Sequence, residues 1–132
     1  MVSFEEFEEI VYEITETLPE VFFRELDGGV MVREQRKIHP ESVGDDLGIL
    51  GEYHKNRYLG RYVVIYYGSF MAAFGYLDRE DLKKRVRKTV LHEFRHHLES
   101  LAGERDLEIE DQKQLAAYKK SKKILDESGS SY

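Results

Sequence analysis

The chain has 132 residues, 26 acids against 20 bases, a net charge of −6 and no cysteine. That length suits one domain with a single modest core. The acidic balance argues against general nucleic-acid binding, and the missing thiols leave histidine and carboxylate as the donors for any transition metal. No apolar run nears the ~20 residues that span a bilayer. The acidic, amphipathic opening MVSFEEFEEIVYEI does not read as a signal peptide. Lack of cysteine fits a reducing compartment, so a cytoplasmic location is expected.

Over residues 3–17, Phe4, Phe7, Ile10, Val11 and Ile14 recur at helical spacing. Ser3 and Glu6 form a capping box. LPEVFFREL (18–26) restarts as a short second helix after Pro19, and Asp27-Gly28-Gly29 ends it. VMVREQRKI (30–38) reads as one strand with Val30 and Val32 on one face, and residues 40–46 as a polar loop. LGILGEYH (47–54) reads as a second, glycine-interrupted strand, and KNRYLG (55–60) as a turn. RYVVIYYG (61–68) gives the strongest strand signal, apolar on both faces and so expected to be covered on both.

SFMAAFGYL (69–77) reads as a short helix. Asp78 is placed to cap a long helix over 79–101, which Gly103 is expected to end. A last helix is expected over 109–124, inside a domain of residues 1–125, with a frayed tail over 126–132. Two helices, about three strands and two helices make an α+β domain with a small sheet.

The long helix contains LHEFRHHLES. A helix advances about 100° per residue. Val86, Val90, Phe94, Leu98 and Leu101 then form a core-facing stripe. His92 and His96 lie one turn apart, roughly opposite that stripe, and can reach one Zn²⁺. Glu93 stands beside such a metal, where a carboxylate can take a proton from water. H-E-x-x-H on a capped helix after a strand is an informative motif for this chemistry, and the bland alternative is a charged helix rich in His, Glu and Arg that binds nothing. Lys84, Lys88, Arg95 and Glu99 read as an ordinary solvated face. His97 falls at the edge of the apolar stripe and reads as a buried structural histidine.

In the order of these pieces the sequence resembles the small bacterial predicted zinc metallopeptidases with a minimal zincin-like, or matrix-metalloprotease-like, domain. FEEFEEIVYEITETLPEVFFRELDGGVMV resembles their acidic opening helix, short L-P-E helix and first strand. LGILGEY resembles their L-x-G-L-Y strand, RYVVIYYGSF the strand before the active-site helix, and DREDLKKRVRKTVLHEFRHHLE that helix with its H-E-x-x-H-H. The family continues H-H-F-G-I-x-D-x-x-L, whereas this chain reads HHLESLAGERDLEIEDQKQL. Its glycine comes about one turn later, which carries the chain about 5.4 Å further from the metal. The resemblance therefore implies Asp111 as third ligand, with Asp106 as the alternative and Glu108 behind both. Helix capping is the plain role for the same acids.

The resemblance implies a zinc-dependent peptidase acting on a peptide or protein substrate. Two histidines and a carboxylate leave one zinc position open for water, and Glu93 is the expected general base. Tyr53, Tyr62, Tyr66 and Tyr67 are the available oxyanion donors. A free edge on the 61–68 strand would accept an extended peptide. A non-catalytic metal-binding or protein-binding module that keeps the zincin fold is the alternative.

Overall fold

A computed structural model describes residues 1–42, 44, 47–104 and 120. The expected last helix, the tail and the three candidate carboxylate ligands lie outside the described residues.

Helix α1 spans Phe4–Glu16, and Ser3 caps it by accepting the backbone N–H of Glu6 at 3.1 Å. It buries Phe7, Ile10, Val11 and Ile14. The segment after Pro19 is a single 3-10 turn, Glu20–Phe23, rather than an α-helix. Its bonds run between residues three apart, as from Phe22 N to the Pro19 carbonyl and from Leu26 N to the Phe23 carbonyl.

VMVREQRKI does not form one strand. Strand β1, Gly29–Arg33, ends before Glu34, and β2, Lys37–Ile38, begins a separate sheet. LGILGEYH divides likewise into β3, Gly48–Ile49, and β4, Gly51–Asn56. β2 and β3 pair antiparallel as a two-stranded sheet. Each break lets the chain change sheets, which alternation along the sequence does not encode. The turn expected at 55–60 is present. Asn56 Oδ1 accepts the N–H groups of Tyr58 and Leu59, and Gly60 takes a left-handed φ of 74°.

Strand β5, Gly60–Tyr66, is the centre of the main sheet, whose order is β1-β5-β4. β1 runs parallel to it and β4 antiparallel. Residues 63–66 are all buried, so both faces of β5 are covered as expected. Val30 and Val32 stand opposite Val63 and Ile65 and pack on the core.

Helix α2, Tyr67–Phe74, follows β5 directly, and α3, Arg79–Glu104, is the long helix. Asp78 Oδ1 accepts the Asp81 N–H at 2.8 Å and caps it. α3 continues through Gly103, which does not end it. Among the described residues nothing lies near the position of a Cβ there, and one glycine in a last turn costs only about 1 kcal/mol against alanine.

The core lies between the inner face of the sheet and helices α1 and α3. Phe7 meets Phe70 and Tyr67, and Phe94 meets Phe22 and Phe23. The α3 stripe is buried at Val86, Val90, Phe94 and Leu98, and half-buried at Leu101. Among the described residues, no helix is long and apolar enough to cross a membrane.

Candidate active site

Burying the Val86 stripe fixes which way the rest of α3 points. His92 is half-buried and His96 exposed, one turn apart on the same side of the helix. Their Nε2 atoms face each other at 3.1 Å. The rings stand at 88° with centroids 4.6 Å apart. Two imidazole nitrogens on one tetrahedral zinc, each about 2.0–2.1 Å from it, sit about 3.3 Å from each other. The pair thus already has nearly the separation that one metal would impose. Burial, then the charges of His96 and Arg95, push His92 below its ordinary value, which favours the neutral ring a metal needs.

Glu93 lies between these histidines in sequence and is only 3% exposed. Burial, helped by the charge of Glu52, pushes its carboxyl up to about 7. A carboxyl in that range can both accept and return a proton near neutrality.

His97 is fully buried, as its place at the edge of the stripe implies. Nε2 lies 2.8 Å from the Arg24 carbonyl and Nδ1 lies 2.9 Å from the Tyr53 hydroxyl. A carbonyl only accepts, so Nε2 carries the proton and donates. Nδ1 in the neutral ring then accepts from Tyr53. Burial lowers the pKa and keeps the ring neutral. This histidine ties α3 to the 3-10 turn and to β4, away from the His92–His96 pair.

A groove of about 760 Å³ runs between α3 and β4. Glu93, His96 and Glu99 line one side, and Glu52, Tyr53 and His54 the other. The groove follows the edge of β4. The condition of a free edge on the 61–68 strand is not met, because β5 is paired on both sides. Among the described residues β4 is paired only with β5. Glycine at 51 permits the close approach of β4 to α3. A Cβ there would sit 2.9 Å from Thr89 Cγ2 and 3.2 Å from the Val64 carbonyl oxygen.

The tyrosines singled out in the sequence have other work. Tyr53 donates to His97, Tyr66 to Glu52 at 2.5 Å, and Tyr67 to the Val2 carbonyl at 2.7 Å. The Tyr62 ring stacks with His54. Glu52 and His54 escaped the sequence reading. Glu52 Oε1 collects three partners: Lys37 Nζ at 2.7 Å, the Tyr66 hydroxyl, and His54 Nε2 at 3.1 Å. Burial alone would raise Glu52, but the hydrogen bonds from Lys37, Tyr66 and His54 hold it below the ordinary carboxylate value. The only signal in the sequence was Glu and His at alternate positions of a strand, which places both on one face.

Among the described residues no three His, Asp or Glu side chains come together as a metal cage. Asp111, Asp106 and Glu108 lie outside them, and so does any contact they make.

No curated protein matches the chain. Among solved structures, a conserved hypothetical protein from Thermo thermophilus is 38% identical, with a TM-score of 0.66. The match covers 78% of this chain and 100% of that one. The model of a family described as zincin-like metallopeptidase matches residues 29–115, from β1 through the whole of α3. With more than half of its length inside that match, the chain belongs to the zincin-like metallopeptidase family.

Proposed function

We propose that the protein is a zinc-dependent peptidase. In this reading His92 and His96 hold the metal through Nε2. A carboxylate from beyond α3, Asp111 with Asp106 as alternative, is the third protein ligand. The 3.1 Å approach of the two Nε2 atoms supports this most directly, because it brings two lone-pair donors to nearly one metal's spacing.

Zinc, when bound, supplies Lewis-acid polarisation of a carbonyl and a water of lowered pKa. Glu93 does the proton work. A carboxylate oxygen accepts a proton from water as the water attacks, then returns it to the departing amine. Its burial keeps competing solvent away from that oxygen. Among the described residues β4 is paired with β5 alone, and a strand lining the groove suits a substrate in extended form.

Metal analysis of protein purified without chelator, together with a mixed-sequence fluorogenic peptide pool, tests the proposal. The parent should carry about one zinc and cleave the pool. Glu93→Gln should keep the metal and lose cleavage. His92→Ala and His96→Ala should each lose most of the zinc. A zinc-loaded parent that cleaves nothing favours the non-catalytic module. A parent without zinc removes both readings.

A further inference from the structure

By sequence Glu99 belongs to a solvated helix face, but in the folded chain it lines the groove on the same wall as Glu93 and His96. It stands seven residues after His92 and three after His96. Seven residues turn a helix by about 700°, within about 20° of two full turns. Glu99 therefore continues the stripe of His92 and His96, with a rise of about 4.5 Å from His96. Its charge is felt at the pair. Burial lowers the His92 pKa, and the Glu99 carboxylate works the other way.

The other acids of the groove are committed. Glu52 accepts from Lys37 Nζ at 2.7 and 2.9 Å and from the Tyr66 hydroxyl. Glu93 is buried beside the histidine pair. Glu99 is exposed, and among the described residues no hydrogen bond or ion pair engages it. Lys55 is the one ammonium among the described lining residues, set against the carboxylates of Glu52, Glu93 and Glu99. A bound Zn²⁺ brings two positive charges, which its carboxylate ligand and ionised Glu93 offset. The charge of Glu99 is then left to act on whatever enters, and protein walls focus it into the groove.

We propose that Glu99 makes this groove select peptides with a lysine or arginine close to the scissile bond. The inference rests on the peptidase reading of His92, Glu93 and His96. A carbonyl held at the histidine pair leaves Glu99 about 4.5 Å further along α3. An extended peptide rises about 3.3 Å per residue, so the cation belongs one or two residues from that carbonyl. Lysine and arginine can lay an apolar stem along the wall and keep the charged head at the exposed carboxylate. A glutamate at the same place meets a like charge and is disfavoured.

The test uses the zinc-loaded full chain and fluorogenic octapeptides of alanine and serine. One position at a time carries lysine, norleucine or glutamate. Norleucine keeps the apolar stem and lacks the charge. The parent should favour lysine over norleucine by about tenfold in kcat/KM at a position within two residues of the cut bond, with glutamate below both. Labelled copies of the same peptides, titrated by anisotropy into Glu93→Gln, read affinity without turnover and should give the same order. The gap should narrow at about 1 M salt. Adding Glu99→Gln should bring lysine and norleucine level, and Glu99→Lys should turn the preference to glutamate. Glu99 is exposed, so zinc content and melting temperature should stay at the parent's in both variants.

A parent indifferent between lysine and norleucine at every position overturns the proposal. A lysine preference that persists in Glu99→Gln overturns it too and assigns the selection to another group. A parent that holds no zinc or cleaves nothing fails the peptidase reading itself. The anisotropy titration then still decides whether Glu99 selects a cation, because it needs no cleavage.

Discussion

Tyr53 on the edge strand β4 donates its hydroxyl hydrogen to Nδ1 of His97 on α3 across 2.9 Å. The bond joins the two walls of the groove. His97 also reaches the Arg24 carbonyl, so both nitrogens of a fully buried ring are used. Tyr53→Phe leaves Nδ1 buried without a donor, and such a loss costs about 1–3 kcal/mol. His97→Ala removes the ring as well and should cost more. The two side chains bond to each other, and His97 to the Arg24 carbonyl, so zinc stoichiometry should stay at the parent's in both variants. Thermal melts beside metal analysis check this. Loss of zinc at parental stability would contradict the structural role of His97.

Gly51 sets how closely β4 approaches α3. Gly51→Ala puts a methyl 2.9 Å from Thr89 Cγ2 and 3.2 Å from Ile65 Cδ1. Overpacking of this kind costs about 1–3 kcal/mol. Thr89→Ser deletes the nearest atom. The double variant should therefore be more stable than the sum of the two single effects implies. Urea denaturation of all four proteins measures the coupling, and strict additivity would mean that the contact does not decide the spacing.

Glu93 makes the metal-free protein pH-sensitive. Burial and the Glu52 charge raise its pKa from 4.5 to about 7 in the folded chain. The folded state thus holds this proton more tightly than the unfolded state. Its contribution to stability is complete below 4.5 and is lost as pH rises through about 7. The difference corresponds to about 3 kcal/mol. Glu93→Gln cannot ionise, so in chelator it should gain on the parent by up to that amount between pH 5 and pH 8. Urea midpoints at the two pH values give the comparison. An unchanged gap between the proteins would rule out a raised Glu93.

The third ligand separates by two readouts. Losing a ligand carboxylate weakens zinc binding, whereas losing a helix cap costs about 0.5–2 kcal/mol and spares the metal. Asp111→Ala is expected to bind zinc weakly. Asp106→Ala is expected to show only the loss of stability. A zinc titration with parallel melts distinguishes them, and the reverse pattern gives the ligand role to Asp106. Parental zinc affinity in both variants points to Glu108 or to a residue outside this segment.

Local chemistry made much of the protein legible in its sequence. The caps at Ser3 and Asp78, the Asn56–Gly60 turn, the apolar stripe of α3 and the buried place of His97 follow from spacing and side-chain type, which act within a few residues. The same spacing brought His92 and His96 to one side of the helix. Tertiary pairing decided the rest. Alternation of side chains cannot say where a strand changes sheets, so the breaks that separate β1 from β2 and β3 from β4 were hidden. It cannot say which strand is central either, and among the described residues the 61–68 strand lies between β1 and β4. Tyr66 reaches Glu52 because β4 lies antiparallel beside β5 in one register. Hydrogen bonds between residues far apart in the chain depend on that register, and only the folded sheet fixes it.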